Sequence, residues 1–341
     1  MATDLPGVQF AALTTWLDAQ HPGLRTGELS GEVIAGGKSN LTYRITDGTN
    51  TWALRRPPLA HVLPTAHDMV REYRVISALA GTAVPVARAV ALCEDKDVLG
   101  APFYLMGFVE GVVLDKPALL PELAPGDATR ACEMLMDALV ELHEVDPAAI
   151  GLADFGRPEG FLARQVKRWH QQWQASEPRK IDELGQTVER LTATLPEQSA
   201  PGIVHGDYRL TNVMFTPPLD GIAAVVDWEM ATLGDPLADV GLLVVYQRLA
   251  QQGDTIMPRM APESGFLTSD QMVARYGERS PRDLARINWY VGLGYFKLAV
   301  VAEGIHHRYL AGKTVGEGFD HFGDAVAVLL QAALRSLADD Q

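Results

Sequence analysis

The chain has 341 residues, 47% of them hydrophobic and 21% charged, which is enough apolar surface for one large domain or two lobes. Asp and Glu number 43 against 29 Lys and Arg, so the formal net charge is −14 at pH 7. This balance argues against nucleic acids and anionic membranes as partners, because binding to phosphates depends on Lys and Arg. An acidic surface that aids solubility explains the charge, and a cationic small molecule would also suit it.

Cysteine usage and the N-terminus bear on the cellular compartment. Cys93 and Cys132 stand alone in apolar stretches and form neither a disulfide framework nor a metal-type pair, which is typical of a reducing compartment. The start of the chain lacks the basic flank and apolar core of a signal peptide. No apolar run reaches the ~18 residues that a membrane-spanning helix needs. We therefore expect a cytoplasmic protein.

The first third of the chain predicts a small sheet preceded by a helix. Residues 8–20 place apolar side chains at helical spacing. Short apolar runs, broken by glycines and polar turns, then predict antiparallel strands with a second helix among them and a turn near Asp95-Lys96-Asp97. The predicted strands are 28–37, 41–48, 51–56, 86–94 and 101–111, and the second helix is 66–80.

The rest of the chain predicts a mainly helical lobe. Apolar residues recur at helical spacing in several long segments after residue 120. The predicted helices are 127–144, 160–175, 180–195, 237–250, 268–276, 282–311 and 319–338. The predicted lobes are 1–107 and 108–341, because a strand ends near Gly107 and helices begin soon after. The predicted fold class is α+β.

Polar side chains interrupt an apolar strand in IVHGDYRLTNVMF, residues 203–215. The apolar runs 213–215 and 222–226 predict a hairpin. If its arms pair antiparallel, Asn212 at the start of one arm lies beside Asp227 at the end of the other, and Asp207 enters from the preceding loop. Oxygen ligands of this kind suit Mg²⁺, which also binds waters and phosphates.

Asp207 would then be free to orient a hydroxyl nucleophile and accept its proton. The alternative is a plain loop in which Asp207 caps and Asn212 makes a turn, as such residues often do. The combination of both residues with the hairpin and the following Asp227 and Glu229 favours the catalytic interpretation.

At these residues the sequence resembles a known family. His205-Gly-Asp207 with Asn212, followed by Asp227-Trp-Glu229, resembles the catalytic and metal-binding loops of the aminoglycoside phosphotransferases, small-molecule relatives of the protein kinases. WEMATLGDPLAD and GIHHRYLAGKTVGEG resemble the branch whose kinase domains are fused to acyl-CoA dehydrogenases. The resemblance covers about residues 29 to 310. It implies a protein-kinase-like bilobal fold, with a small antiparallel-sheet N-lobe and a mainly helical C-lobe.

The resemblance also implies roles for these residues, with ATP and Mg²⁺ as cofactors. Asp207 would be the base, and Asn212 and Asp227 would hold Mg²⁺. Glu229 would add to the metal site, since it lies two residues past Asp227 on the same face of an extended segment; a solvated or ion-paired carboxylate is the alternative. By the same resemblance His205 would support the loop. Asp235 and Asp239 flank Pro236 at a predicted helix start and are expected to cap the helix and brace the lobe rather than take part in the chemistry.

The small lobe would supply the nucleotide contacts. The family's phosphate-covering loop falls on Gly36, Gly37, Lys38, Ser39 and Asn40. A P-loop is rejected here, because that motif needs a glycine where Glu32 stands and a helix where a strand is predicted.

The third strand would supply a cation. Arg55 stands where the family usually has Lys, and would bridge the α/β phosphates and Glu72. Alternation leaves Arg55 or Arg56 facing the nucleotide, and we predict Arg55. Glu72 could instead be an exposed partner of neighbouring arginines. By position, backbone groups of Met106 and Phe108 would bind the adenine.

The predicted reaction is transfer of the ATP γ-phosphoryl group to a substrate hydroxyl, with Asp207 and Arg55 as catalytic residues. The acceptor stays open between an aminoglycoside-like and a hydroxyacyl-CoA-like molecule. An anionic acceptor is favoured by basic residues of the last two helices, unless these form a solvated face: Lys297, His306, His307, Arg308 and Lys313. Trp169 and Trp173 would line a cleft or, more commonly, belong to the core.

Two other functions remain at this stage. One is a nucleotide-binding pseudokinase without catalysis, which the joint presence of Asp207, Asn212 and Asp227 argues against. The other is a module that binds a partner enzyme. The sequence leaves the oligomeric state open, including a homodimer.

Overall fold

The computed structural model describes residues 3–34, 40–59, 67–114, 123–176, 179–252, 264–312 and 318–340. The chain forms two compact units. Unit 1 comprises Met1–Val112, Met214–Pro218 and Ile222–Ala231, and unit 2 comprises Val113–Val213, Leu219–Gly221 and Thr232–Gln341.

Within its described residues, unit 1 holds a five-stranded antiparallel sheet in the order β1-β2-β3-β5-β4. The β2–β3 hairpin forms where the Asp47 carboxylate accepts the N–H groups of Thr49 and Asn50, and Gly48 takes the positive φ of 88° that the turn needs. The elements are α1 (Phe10–Gln20), β1 (Ser30–Val33), β2 (Leu41–Thr46), β3 (Thr51–Arg56), α2 (Met69–Leu79), β4 (Ala89–Cys93), α3 (Lys96–Leu99) and β5 (Phe103–Gly107).

The core of unit 1 lies between α1 and one face of this sheet. Phe10 and Leu13 of α1 pack in one buried cluster with Tyr43, Leu54 and Phe103 of the strands. Because strand side chains alternate between faces, Arg55 lies on the face opposite to Leu54. The sheet thereby directs Arg55 away from the α1 core.

The polar stretch predicted as a turn near Asp95 is instead the start of the one-turn helix α3. The Asp95 side chain accepts the N–H of Asp97 and caps the helix, and Gly100 ends it at a φ of 84°. The predicted position was right and the predicted conformation was wrong, because an Asx side chain initiates turns and helices by the same hydrogen bond.

Unit 2 is mainly helical. Its central helix α7 is buried on nearly all sides, and α9 packs against both α7 and α10. At the α7–α9 crossing, a Cβ at Gly241 would lie 2.4 Å from the carbonyl carbon of Tyr290, so glycine allows the close approach. The helices are α4 (Asp127–Glu144), α5 (Phe161–Ala175), α6 (Asp182–Ala193), α7 (Leu237–Gln252), α8 (Ser269–Arg279), α9 (Ile287–Leu310) and α10 (Phe322–Ala338).

Short strands frame the loops that carry the predicted site. β6 (Gly202–Val204) pairs antiparallel with β9 (Thr232–Gly234) in unit 2, a pairing that the sequence did not indicate. β7 (Val213–Phe215) and β8 (Ile222–Val225) form the predicted hairpin, and all of it except Val213 belongs to unit 1.

Helix α9 was predicted to begin at residue 282 and begins at Ile287. The hydroxyl of Ser280 accepts the N–H of Arg282, and the carboxylate of Asp283 accepts the N–H of Ala285. These local hydrogen bonds compete with helix formation and delay the first turn.

The predicted α+β class is confirmed: the described residues form a small antiparallel sheet and many helices. Cys93 and Cys132 are buried free thiols. Among the described helices, none has both the length and the apolar character required to cross a bilayer.

Candidate active site

In unit 1, Arg55 lies at the centre of a set of polar residues that we call the Arg55 cluster: Asn40, Arg55, Glu72, Asp227 and Glu229. The Nε atom of Arg55 lies 2.8 Å from Oε2 of Glu72, and its Nη2 donates to Oδ1 of Asp227 at 2.6 Å. The Arg55 side chain is 13% exposed and that of Glu72 is 2% exposed. Burial opposes the positive charge, but the negative charges of Glu72 and Asp227 raise the pKa of Arg55 above its usual value.

The predicted Arg55–Glu72 pair is therefore present, and Glu72 is not the exposed residue of the alternative interpretation. Both Glu72 oxygens accept further hydrogen bonds, Oε1 from Nδ2 of Asn40 at 2.9 Å and Oε2 from the hydroxyl of Tyr104 at 3.0 Å. Burial raises the pKa of Glu72, and the charge of Arg55 and the hydrogen bond from Tyr104 counteract this rise. Arg56 is buried on the opposite face, where it donates to the carbonyls of Gly7 and Leu99.

Glu229 belongs to the same cluster by a different route. Its Oε2 accepts from Nδ2 of Asn40 at 3.0 Å and lies 3.6 Å from Nδ1 of His67. These contacts favour the alternative in which Glu229 is a paired carboxylate. The amide nitrogen of Asn40 thus bridges Glu72 and Glu229. The Oδ1 atom of Asn40 is buried without a hydrogen-bond partner among the residues that the structure describes.

The expectation of an extended chain from Asp227 to Glu229 was wrong. Asp227 has a φ of 69° and a ψ of 55°, and Trp228–Met230 form a 3₁₀ turn. Asp is one of the few residues that tolerate this left-handed region. The positive φ turns the chain sharply after β8, so Asp227 and Glu229 are positioned by the turn and not by strand alternation.

In unit 2, the loop between β6 and β7 brings Asp207 and Asn212 together. Nδ2 of Asn212 donates to the Asp207 backbone carbonyl at 2.9 Å and to its Oδ2 at 3.1 Å. The Tyr246 hydroxyl donates to Oδ1 at 2.5 Å, and Nε of Arg209 lies 3.5 Å from Oδ2. The Asp207 side chain is 21% exposed. Donors on both oxygens fix the orientation of a carboxylate that solvent still reaches.

The same loop is held from behind by Asp239 of α7, which is 1% exposed. Its Oδ2 accepts the N–H of His205 at 2.6 Å and its Oδ1 accepts the N–H of Gly206 at 2.8 Å. Burial favours the protonated form, but hydrogen bonds from the His143 ring and the Gly206 N–H help to hold the pKa of Asp239 below its usual value. The expected bracing role of Asp239 is confirmed.

His143 completes this support. Its Nε2 lies 3.4 Å from Oδ2 of Asp239 and its Nδ1 lies 2.8 Å from the Tyr276 hydroxyl. Burial lowers the pKa of His143, so the neutral ring, with the proton on Nε2, matches a carboxylate on one side and a hydroxyl donor on the other. His205 supports the loop as expected, since its Nδ1 accepts the N–H of Asp207 at 3.2 Å.

Asp235 is a structural residue, as expected. Its carboxylate accepts the N–H of Leu237 at the start of α7, the hydroxyl of Tyr290 and both the N–H and the hydroxyl of Ser199. These contacts cap α7 and fix the segment that leads into β6.

Some of the residues predicted to contact the nucleotide or the acceptor lie outside the described part of the chain, and others lie in the sheet. Gly36, Gly37, Lys38, Ser39 and Lys313 lie outside the described residues. Met106 lies in β5, and the N–H of Phe108 donates to the Thr51 carbonyl at 3.3 Å, so the sheet already uses that donor.

The predicted basic face of the last two helices is divided. His307 and Arg308 are exposed, whereas Lys297 donates to the Gly206 carbonyl and lies 5.3 Å from the ring centre of Trp169. Trp169 and Trp173 are both buried in the core.

Tyr246, Arg209 and Lys297 are the residues near Asp207 that the sequence analysis missed or placed elsewhere. Arg209 stood two positions from Asp207 in the loop and could have been noted. Tyr246 lies in α7, which is apolar on nearly all sides, so no pattern showed where its hydroxyl points.

Each unit carries an oxygen side chain of the kind that binds Mg²⁺. Among the described residues, no three His, Cys, Asp or Glu side chains are arranged to hold a metal ion by themselves. Mg²⁺ bound to a nucleotide needs only one or two protein oxygens, because phosphates and waters complete its shell. In unit 2, Asn212 directs its amide nitrogen to Asp207. In unit 1, Oδ1 of Asp227 contacts Arg55.

Comparison with known proteins places the chain in a family. The model of the phosphotransferase enzyme family (APH) matches residues 30–263. Mouse acyl-CoA dehydrogenase family member 10 is 34% identical over 290 residues, which cover 81% of this chain and 26% of that protein. Human acyl-CoA dehydrogenase family member 11 is 30% identical over 311 residues, covering 88% of this chain and 39% of that protein. The chain thus spans well under half the length of these relatives.

Solved structures agree on the fold. A Ralstonia eutropha protein named provisionally as an aminoglycoside phosphotransferase superposes with a TM-score of 0.84 at 32% identity, covering 97% of this chain and 98% of that one. A thermostable mutant of aminoglycoside phosphotransferase APH(4)-Ia, in a ternary complex with AMP-PNP and hygromycin B, superposes with a TM-score of 0.59 at 15% identity, covering 96% and 98%. The chain therefore belongs to the phosphotransferase enzyme (APH) family and has its protein-kinase-like α+β fold.

Proposed function

We propose that this phosphotransferase is a small-molecule kinase that transfers the γ-phosphoryl group of ATP to a substrate hydroxyl, with Mg²⁺ as cofactor and Asp207 as base. The observation that carries the proposal is the state of Asp207: a partly exposed carboxylate whose two oxygens are oriented by Tyr246 and Asn212. Family membership supports the reaction class. The AMP-PNP complex of APH(4)-Ia supports a nucleoside triphosphate as donor.

The chain's own residues would divide the work as follows. Asp207 accepts a hydrogen bond from the acceptor hydroxyl, orients its oxygen and takes its proton as the new P–O bond forms. Tyr246 and Asn212 hold the carboxylate in one orientation, so that little reorganisation is needed during the reaction. Arg55, kept charged by Glu72 and Asp227, contacts the non-transferred phosphates.

Asn212 and Asp227 are the proposed Mg²⁺ ligands, with Glu229 as a further candidate. When bound, the ion would offset the negative charge of the nucleotide phosphates. The nucleotide contacts proposed for Gly36 to Ser39, and for the backbone of Met106 and Phe108, rest on the family resemblance alone. The cytoplasmic location and a homodimer likewise stay predictions.

The acceptor is a hydroxylated small molecule in this proposal, and the charges beside Asp207 favour an anionic one. Arg209 lies 3.5 Å from the Asp207 carboxylate, and Lys297 binds the preceding residue. A polycation such as an aminoglycoside would meet these positive charges, whereas a hydroxyacyl-CoA-like acceptor would be attracted. The names of the curated relatives are in keeping with an acyl-CoA ester.

The test is a screen of ADP release from Mg-ATP with aminoglycosides, sugars, amino alcohols and hydroxyacyl-CoA esters as acceptors. Asp207→Ala serves as the blank, and GTP replaces ATP in a parallel set. We expect turnover with at least one acceptor that depends on Mg²⁺ and is lost in the variant. Nucleotide binding without turnover for every acceptor would favour a pseudokinase, and stoichiometric co-purification of an enzyme would favour a partner-binding module.

A further inference from the structure

Lys297 of α9 reaches the loop that carries Asp207. Its ammonium group donates to the backbone carbonyl of Gly206, the residue before Asp207. The charge also lies 5.3 Å from the ring centre of Trp169, which supplies a favourable cation–π contact. The sequence left open whether Lys297 favours an anionic acceptor or belongs to a solvated basic face, and in the structure it contacts the loop.

Lys297 and Asp239 hold the two peptide groups that flank Gly206, and we call this pair the loop clamp. Asp239 accepts the N–H of Gly206, which belongs to the peptide between residues 205 and 206. Lys297 donates to the Gly206 carbonyl, which belongs to the peptide between residues 206 and 207. A negative charge thus holds one peptide by its N–H and a positive charge holds the next by its C=O.

This geometry determines where the Asp207 side chain can point. Gly206 has a φ of 87°, a left-handed conformation that a free glycine leaves easily. The N–H of Asp207 belongs to the same peptide as the clamped carbonyl and donates to Nδ1 of His205 at 3.2 Å. The peptide that leads into Asp207 is therefore fixed at both of its polar ends.

The positive charge of Lys297 is costly and so calls for a reason. A neutral amide could donate the same hydrogen bond, whereas burial of an ammonium group carries a desolvation penalty. Burial lowers the pKa of Lys297, the charges of Asp207 and Asp239 counteract this, and those of Arg168 and Arg209 add to it. The ammonium lies next to the loop that carries the proposed base, so its charge acts on the Asp207 carboxylate.

We propose that Lys297 is a positioning residue of the phosphoryl transfer, which sets the orientation of Asp207 through the Gly206 carbonyl and keeps a positive charge beside it. This inference rests on the proposed function, in which Asp207 is the base. A purely structural alternative is that Lys297 only fastens α9 to the loop for folding. The two differ in what a neutral and a charged replacement do to kcat.

The test compares Lys297→Met, Lys297→Arg and the control Lys167→Met, an exposed lysine on α5. The probe is Mg-ATP with ADP release as the readout, and thermal denaturation is measured in parallel. We expect Lys297→Met to lower kcat on the order of 10- to 100-fold with KM for ATP within about twofold, the loss typical of a misoriented catalytic group. Lys297→Arg should restore most of the rate, and Lys167→Met should match the wild type.

The pH profile provides a readout that a structural role would not move. The wild-type kcat should fall as pH rises through the lowered pKa of Lys297, and in Lys297→Arg this fall should shift to higher pH because guanidinium stays protonated. If Lys297→Met does not fold, this comparison of wild type with Lys297→Arg decides the matter.

Three results would overturn the inference. They are an unchanged kcat in Lys297→Met, no recovery of kcat in a folded Lys297→Arg, or the same fall of kcat at high pH in the wild type and in Lys297→Arg. The Asp207→Ala variant distinguishes failure of the proposed function from failure of the positioning role of Lys297. If Asp207→Ala also leaves ADP release unchanged, the proposed function fails; if only the Lys297 variants behave as wild type, the positioning role alone fails.

Discussion

The Arg55 cluster of unit 1 and the Asp207 loop of unit 2 are both buried polar networks, but they are built differently. The cluster joins one guanidinium directly to the carboxylates of Glu72 and Asp227, and the Asn40 amide links Glu229 to Glu72, so acidic side chains outnumber the single arginine. The loop is held mainly through backbone N–H and C=O groups, and it presents one oriented carboxylate. The first arrangement suits binding of charged groups and cations, and the second suits positioning of a reactive side chain.

Because the two networks are built differently, we expect mutations in them to affect stability, ligand binding and rate differently. In the cluster each charge offsets another, so removal of one partner should affect stability and ligand binding together. In the loop the supporting groups act through the backbone, so variants should separate rate from binding.

The largest effect is expected at Asp207. Asp207→Ala and the isosteric Asp207→Asn should lower kcat by about 10²- to 10⁴-fold, the usual contribution of a general base, while ATP affinity stays near the wild-type value. Steady-state kinetics and titration calorimetry measure the two quantities. The exposed control Glu141→Gln should leave both unchanged. Normal turnover in Asp207→Asn would remove the base assignment.

The next largest effect is expected at Arg55, in the other region. Arg55→Met leaves the buried carboxylate of Glu72 without its cation and should lower the free energy of unfolding by about 3–5 kcal/mol. Urea denaturation measures this loss, and ATP affinity should fall as well. The control is Arg44→Met on the neighbouring strand, where the arginine is 42% exposed and should contribute about 0–1 kcal/mol. Equal losses in the two variants would contradict the charge-network description of the cluster.

A smaller effect should distinguish the two carboxylates that follow β8. Asp227→Asn should weaken Mg-ATP binding by about 10- to 100-fold, as loss of a group at a metal site usually does. Glu229→Gln should have a weaker effect, because Asn40 and His67 already engage that side chain. Calorimetric titrations with Mg-ATP and with ATP plus EDTA measure the metal-dependent part. If Glu229→Gln has the larger effect, Glu229 replaces Asp227 in the proposed set of Mg²⁺ ligands.

The smallest effect is a pH-dependent one in the loop support. Asp239→Asn keeps the shape of the side chain and should lower the free energy of unfolding by about 1–3 kcal/mol at neutral pH. The folded-state pKa of Asp239 is lowered, so its contribution is present above the unfolded pKa of about 3.9 and is lost as pH falls through the folded value. Wild type and variant should therefore converge in stability on acidification. A constant difference between pH 7 and the acid transition would contradict the charge-based support of the loop.

Much of this fold could be predicted from the sequence because its signals are local. The strands β2 and β3, the turn between them and the helix α4 lie within a few residues of their predicted positions. The failures were also local in origin: side-chain hydrogen bonds at Asp95 and Asp283 changed a turn into a helix and a helix start into a turn. The pairing of β6 with β9 was missed because each has only 3 residues, too few for a periodic pattern.

The residues of the candidate site also differ in how far the sequence could predict their association. Asp207 and Asn212 are five positions apart, so the sequence showed their association directly. Arg55 and Asp227 are separated by 172 positions, and only the resemblance to a family suggested that both belong to one site. Tyr246 was not found, and Lys297 was noted only as one of several basic residues, because helices that are buried on most sides give no signal of the direction in which a single polar group points.

The amino-acid sequence alone established the α+β class and the succession of most elements, since these depend on local periodicity and spacing. The chemistry expected of the loop at 205–212 came from its resemblance to a family. Other features are visible only in the tertiary structure. Glu72 is buried against Arg55, and the positive φ at Asp227 turns the chain before Glu229. Lys297 and Asp239 hold the Gly206 peptides. The physical reason is that the energy of a buried charge or peptide group depends on which partners lie within hydrogen-bond distance, and those partners come from distant parts of the chain.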